Sequence, residues 1–366
     1  MIGKEEKLKR ALLWGPAKIY ELLVRLRVAA YETEYLKPAR LEATVISIGN
    51  ITLGGTGKTS FVEYIARYLK KEGHSVAVLT RGYGRKSGGR RLLNAGDAQA
   101  ASGHKSPAAG RLYEEFGDEP LMLARAVPDV PVIVDKDRRA GGAWAERECS
   151  SNVLILDDGY QHLKLARNLN ILLLDATDPF GGFEMVPFGR LREPLYGLKR
   201  ADAVIVTRAD RPFDQGQLNA IIRHSCGGKI PILYFSSSIK SLRHLKTGEV
   251  YESNQFVGWN SVAMCGIGNP RAFSDDLLQI GMNVSDESFF PDHHAFTQED
   301  LDRVTERARG VGADCIVTTE KDAIRLEGLE PGEVPLYAAQ SELQSDDEVR
   351  LKSLLLRTIA LGRPRP

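Results

Sequence analysis

The residues best suited to chemistry stand in one stretch, Gly49-Asn50-Ile51-Thr52-Leu53-Gly54-Gly55-Thr56-Gly57-Lys58-Thr59-Ser60, between the apolar run Val45-Ile46-Ser47-Ile48 and a helical pattern over residues 61–71. Strand, glycine loop and helix in this order make a phosphate cradle. Glycines let backbone N–H groups turn inward around phosphate oxygens, and the helix N-terminus adds a positive end. Within Thr52, Leu53, Gly54, Gly55, Thr56, Gly57, Lys58, Thr59 and Ser60, the Lys58 ammonium is placed for the β- and γ-phosphates and the Thr59 hydroxyl for Mg²⁺. Thr52 takes the position of the first glycine in the strict G-x-x-x-x-G-K-[ST] pattern, so the match is a relaxed one.

A nucleotide site of this kind also needs a metal carboxylate at the end of a neighbouring strand. The run Val153-Leu154-Ile155-Leu156-Asp157-Asp158 has that form, with Asp157 the first choice and Asp158 beside it. The bland alternative, two aspartates capping a turn, loses ground once a P-loop lies upstream.

These residues need a frame, and apolar runs supply it: 44–48, 75–79, 132–134, 153–156, 171–174 and 203–206 read as strands alternating with helices. Continuous apolar strands of this kind suit a parallel sheet covered on both faces, so the expected fold is α/β, a P-loop NTPase-type parallel sheet flanked by helices. A second, smaller α/β domain is expected from strands at 262–265 and 315–318 and helices near 270–280, 298–311 and 346–361. The boundaries this gives are an N-terminal helical segment over 1–42, a P-loop domain over 43–235, a connector over 236–259 and the second domain over 260–366. Residues 88–110, rich in Gly, Ala and Ser, read as a surface excursion and a poor place for a core strand.

Over the whole chain, 49 Lys and Arg balance 48 Asp and Glu, which leaves no global field to attract nucleic acid. The first 27 residues depart from this balance, with seven bases against three acids for a net charge of +4. Ile19, Leu22, Leu23 and Leu26 recur there at helical spacing, and Pro16 is placed to open a second helix. A basic amphipathic helix of this type either lies in an anionic membrane interface or packs on its own domain. Cys149, Cys226, Cys265 and Cys315 are scattered without a Cys-x-x-Cys pair, which favours buried thiols in a reducing compartment over a disulfide framework or zinc site. The chain reads as neither membrane-spanning nor exported.

Four further motifs, Thr80-Arg81-Gly82-Tyr83-Gly84-Arg85, Gly117-Asp118-Glu119-Pro120, Asp157-Asp158-Gly159-Tyr160-Gln161-His162 and Gly189-Arg190-Leu191-Arg192-Glu193-Pro194, occur in an order that resembles the tetraacyldisaccharide 4′-kinase family of Gram-negative bacteria. Phe290-Pro291-Asp292-His293-His294 and Thr319-Glu320-Lys321-Asp322 extend the resemblance over nearly the whole chain. It implies transfer of the γ-phosphate of ATP, with Mg²⁺, to the 4′-hydroxyl of a lipid disaccharide 1-phosphate at the cytoplasmic face of the inner membrane. The N-terminal helix then becomes an interfacial anchor on an anionic membrane surface, because pulling acyl chains from a bilayer costs about 0.8 kcal/mol per CH₂.

The resemblance also implies Asp118 as the base for the sugar hydroxyl and His293 as its partner. Phosphoryl transfer needs a carboxylate to orient the attacking hydroxyl, and an imidazole beside it can hold that carboxylate in place. The boundaries above put the two in different domains. Arg81, Tyr83, Arg85, Arg138 and Arg139 are the substrate-side candidates, since the guanidinium fork suits phosphate oxygens. Two strand-end loops, Thr207-Arg208-Ala209-Asp210 and Thr319-Glu320-Lys321-Asp322, compete as readers of the base.

A nucleotide-switch or metal-insertion GTPase and a soluble sugar kinase are the rival readings. No Cys/His cluster exists to carry a metal cargo, and a soluble kinase leaves the basic amphipathic N-terminus unexplained.

Overall fold

A computed structural model describes residues 4–94, 96 and 107–362. In chain order its elements are α1 (Lys4–Glu32), β1 (Thr44–Asn50), α2 (Lys58–Lys71), β2 (Val76–Thr80), β3 (Arg91–Leu93), α3 (Pro107–Phe116), α4 (Asp118–Ala126), β4 (Val132–Val134), α5 (Arg138–Cys149), β5 (Val153–Leu156), β6 (Leu169–Asp175), β7 (Ala203–Thr207), α6 (Gln215–Cys226), β8 (Ile232–Tyr234), β9 (Ser236–His244), β10 (Val250–Glu252), β11 (Asn260–Cys265), α7 (Pro270–Gln279), β12 (Asn283–Phe289), α8 (Gln298–Gly310), β13 (Cys315–Thr319), α9 (Glu320–Arg325), β14 (Leu336–Gln344) and α10 (Glu348–Leu361). They form two compact units. The first takes the chain up to Leu79, Asp137–Ser236 and the segment from Ser345, and the second takes Thr80–Lys136 and Ser237–Gln344.

In the first unit, β2, β5, β1, β6, β7 and β8 lie side by side in that order, every pair parallel. Every residue of β1, β5, β6 and β7 is buried, as a sheet covered on both faces requires. Helix α2 buries Phe61, Val62, Ile65, Ala66 and Leu69, one stripe at helical spacing. The second unit has its own sheet, ordered β10-β9-β14-β13-β11-β12, and the antiparallel pair β3 and β4. Alternate residues of its central strands enter two cores. Val262, Met264, Ile316, Leu336 and Ala338 join one; Ala263, Cys265, Cys315, Val317, Tyr337 and Ala339 join the other.

The α/β class stands, but the linear boundaries do not describe these units. Residues 80–136 pack with the C-terminal half, while α10 returns to the first unit, where Leu351 and Leu355 are fully buried and Glu348 accepts a hydrogen bond from Tyr64. The expected connector over 236–259 contains β9 and β10, an antiparallel pair around a turn at Gly248. The short strand-like pieces legible on either side of Thr247-Gly248 are thus an edge of the sheet and not a connector. Within 88–110, residues 95 and 97–106 lie outside the described set, but Arg91–Leu93 does form a strand, short enough to need only Leu93 in the core.

Helix α1 runs unbroken through Pro16, so no second helix starts there, and residues 33–42 are not helical. Packing holds it against the lost ladder hydrogen bond. Ala17 and Val28 are buried against the first unit, the Tyr20 hydroxyl donates to the Arg192 carbonyl at 3.1 Å, and Arg27 donates to the Gln161 carbonyl at 3.2 Å. The opposite face stays in solvent: Leu12, Ile19, Leu22, Leu23 and Leu26 are each more than half exposed. No described helix is long and apolar enough to cross a membrane. All four cysteines are free thiols; Cys265 and Cys315 are buried, Cys149 and Cys226 partly so.

Candidate functional site

The glycine loop leaves β1 at Asn50 and enters α2 at Lys58, the connection foreseen from the sequence. Gly57 precedes the helix at φ 76°, a conformation that strains any side chain, and no side chain caps the first turn of α2. Its leading N–H groups are left for an anion. Thr52 tolerates a side chain because it is not at positive φ and forms a bridge with Leu191. The loop is gripped from outside by two arginines. Arg190 donates to the Leu53 carbonyl at 2.8 Å and pairs with Asp178 at 2.9 Å; Arg208 donates to the Gly55 carbonyl at 3.2 Å and pairs with Asp175.

Lys58 Nζ donates to Asn50 Oδ1 at 3.2 Å and lies 3.8 Å from Asp158 Oδ1. Asp158 lies in the turn just after β5, the strand paired with β1, and Arg192 holds both its oxygens at 2.7 and 3.0 Å. Burial pushes this carboxyl up, but Lys58 and Arg192 outweigh burial and hold it at about 2. Asp157 beside it is 2% exposed. The donors Thr59, Asp157 and Asp158 are all hard oxygens, and among the described residues no group of three or more His, Cys, Asp or Glu is assembled. That set fits Mg²⁺, which takes few carboxylates and completes its shell with phosphate and water. Arg138 is buried in the same unit and helps to lower Asp158. Arg139 instead pairs with Asp137 at 2.6 Å, at the start of α5.

A second cluster lies wholly within the second unit. Asp118 opens α4, and Gly117 before it sits at φ 90° where a Cβ would meet the Tyr83 carbonyl at 2.7 Å. Asp118 Oδ1 accepts the Glu119 N–H at 2.9 Å, and Oδ2 lies 3.2 Å from His293 Nδ1. Asp118 and His293 therefore meet without any approach of one unit to the other, because residues 80–136 fold with the C-terminal half. His293 is held at φ 61°, a strained value for a non-glycine residue, with its N–H on the Gly266 carbonyl at 3.2 Å. Its Nε2 lies 3.4 Å from Lys321 Nζ, and its ring centroid is 5.3 Å from that of Tyr83. Arg325 completes the group by donating to Asp118 Oδ2. Burial alone would raise the Asp118 carboxyl, but the His293 hydrogen bond, Lys321 and Arg325 together hold it far below the usual carboxylate range.

Asn50, Lys58 and Asp158 are thus brought together in one unit, and Asp118, His293 and Tyr83 in the other. Arg81 is exposed, whereas Arg85 spends its guanidinium on the carbonyls of Val134 and Gly89 at 3.3 and 2.8 Å. The five substrate-side candidates are divided between the two units. Arg81, Tyr83 and Arg85 belong to the second unit, Arg138 and Arg139 to the first.

A family model described as tetraacyldisaccharide-1-P 4′-kinase matches residues 9–360. The chain belongs to the tetraacyldisaccharide-1-P 4′-kinase family. It is 39% identical to the tetraacyldisaccharide 4′-kinase of Pelobacter propionicus, covering 85% of this chain and 82% of that one. The Geobacter sulfurreducens member is 36% identical, with 96% and 94% covered. A crystal structure of Aquifex aeolicus LpxK in complex with ATP aligns with a TM-score of 0.71 at 32% identity, covering 96% of this chain and 99% of that one.

Several site residues carried no individual signal in the sequence of this family member. Arg190 and Arg192 stand in a motif that was visible, Gly189 to Pro194, but their targets, the P-loop carbonyl and Asp158, follow only from the fold. Arg325 lies beyond every motif. Of the two base-side candidates, Thr207–Asp210 touches the P-loop through Arg208, while Thr319–Asp322 lies in the other unit at the start of α9.

Proposed function

We propose that the chain transfers the γ-phosphate of ATP to the 4′-hydroxyl of tetraacyldisaccharide 1-phosphate, working as a peripheral enzyme at the cytoplasmic face of the inner membrane. The observation that carries this reading is the match of a kinase family model over residues 9–360 to a chain that holds a P-loop with Lys58 beside Asp158 in one unit and Asp118 with His293 in the other. In this reading the α2 N-terminus and Lys58 hold the phosphates, and the Thr207–Asp210 loop faces the base. Thr59, Asp157 and Asp158 would hold Mg²⁺, which neutralises charge building on the transferred group. Asp118 accepts the hydrogen bond of the attacking hydroxyl and fixes its line of approach, His293 steadies Asp118, and Arg81, Tyr83 and Arg138 contact the acceptor.

The membrane part of the reading rests on α1. Its inner face is used in packing, so the row Leu12, Ile19, Leu22, Leu23 and Leu26 is an apolar stripe in water, and its flanks are basic. Laid in an interface, that stripe would be buried among acyl chains near the substrate's own. The decisive assay incubates purified protein with ATP, Mg²⁺ and tetraacyldisaccharide 1-phosphate and looks for a new monophosphate on the lipid. Lipid-independent GTP hydrolysis with no lipid product would overturn the assignment in favour of a nucleotide switch.

A further inference from the structure

Arg325 is enclosed within the second unit, its side chain 1% exposed. Nη2 donates to Asp118 Oδ2; Nη1 donates to Asp322 Oδ1 at 2.9 Å and to the Gly266 carbonyl at 3.1 Å. The far end of the fork is itself fixed, because Asp322 Oδ2 accepts the Gly266 N–H at 3.0 Å and the Thr319 hydroxyl at 2.8 Å. His293 hangs from the same point through its N–H on the Gly266 carbonyl. The end of β11, the start of α9, the His293 loop and the first residue of α4 are therefore tied through one guanidinium. Its Nε is buried without a hydrogen-bond partner, a cost that a purely structural clasp could shed by substitution with an apolar side chain.

Arg325 donates to Asp118 Oδ2, His293 Nδ1 lies 3.2 Å from that oxygen and 3.1 Å from Arg325 Nη2, and among the described residues Oδ1 accepts only the Glu119 N–H. The acceptor capacity left on the carboxylate is thus on Oδ1. We propose that Arg325 is a positioning residue for phosphoryl transfer: it occupies Oδ2 so that Asp118 meets the acceptor hydroxyl through Oδ1 and meets it as an anion. This rests on the reading of Asp118 as the hydroxyl's partner. The groups that set the charge of Asp118 are His293, Lys321 and Arg325, with Glu119 on its own helix; Asp292 and Asp322 balance Lys321 and Arg325, and Tyr83 lies against the far side of His293.

The test is the pH dependence of kcat in R325M, R325K and D118N, with folding checked by circular dichroism. In R325M the acid limb should move up by about one to three pH units, since a neighbouring guanidinium lowers a carboxylate by that much. Its plateau should fall by about ten- to a hundredfold through loss of orientation, with KM for ATP unchanged. R325K keeps the charge but not the fork, so its acid limb should stay in place while the plateau falls. A folded R325M with an unmoved acid limb overturns the proposal; if R325M does not fold, an R325K plateau equal to wild type overturns it. Wild-type turnover in D118N would instead remove the reading of Asp118, and the role of Arg325 with it. Loss of activity in D118N beside unaltered Arg325 variants would remove only the latter.

Discussion

Arg192 holds the Asp158 carboxylate through both terminal nitrogens, at 2.7 and 3.0 Å, while Lys58 stands 3.8 Å from one of the same oxygens. A carboxylate just beyond the C-terminal end of β5 is thereby held between two cations. R192M should free Asp158 to relax toward Lys58. The expected outcome is a KM for ATP raised by about tenfold, with a smaller fall in kcat. Titration of activity against MgATP checks this.

Lys58→Ala should lower kcat by about a hundredfold or more, comparable to removing one preorganised electrostatic contact from a transition state. The fold should survive, because the Lys58 ammonium pairs with polar groups, Asn50 and Asp158, and is not a core contact. Thermal melting with the lipid kinase assay separates the two effects. Thr59→Ala should raise the Mg²⁺ concentration needed for half-maximal activity as well as slow turnover.

Asp118→Ala should cost more in kcat than His293→Ala, and the double variant should be little worse than Asp118→Ala, because groups acting as one unit lose their shared contribution only once. Multiplicative losses in the three measured kcat values would show that the residues work independently.

The exposed stripe of α1 can be tested without disturbing its inner face. Deleting residues 1–27 would remove the buried Ala17 and the Tyr20 contact to Arg192. The cleaner variant is Ile19→Gln with Leu23→Gln and Leu26→Gln. Sedimentation with anionic vesicles should show weaker binding, while KM for ATP and melting temperature stay near wild type; moderate salt should loosen the unaltered protein as it screens the basic flanks.

His162 supplies a pH dependence of stability in the first unit. Burial, followed by the charges of Arg138 and Arg167, pushes its pKa down to about 3. Its folded value is below its unfolded value, so the unfolded chain binds the proton more readily and stability falls as pH drops below about 6.5. At pH 5.5 the loss attributable to His162 should be roughly 1 kcal/mol. H162Q should flatten this part of the stability curve in urea unfolding.

The sequence made the first unit more legible than the second for a physical reason. Parallel strands buried on both faces are continuous apolar runs, and Val45–Ile48, Val153–Leu156 and Ile171–Leu174 declare themselves. β12 does not: Asn283–Phe289 has only one buried residue, Ser288, as an edge strand with half its hydrogen bonds open. Asp118 and His293 were visible as motif members, but their sharing of a unit depends on residues 80–136 folding away from the strands that flank them in sequence. No local pattern encodes such a return. Arg325 is a helix residue like many others until the fold sets Asp118 against it.

The chain passes between its two units four times, and α10, which completes the first, is the last described element. On the ribosome the second unit has all its strands once Gln344 has emerged, while the first still lacks Leu351, Leu355 and the Glu348 partner of Tyr64. Within this sequence the first unit is opened before the second and closed after it. A nascent chain that has passed the glycine loop still lacks α10, which closes the packing of that unit, so premature termination between the two should leave a fragment open to proteolysis, never a shortened enzyme.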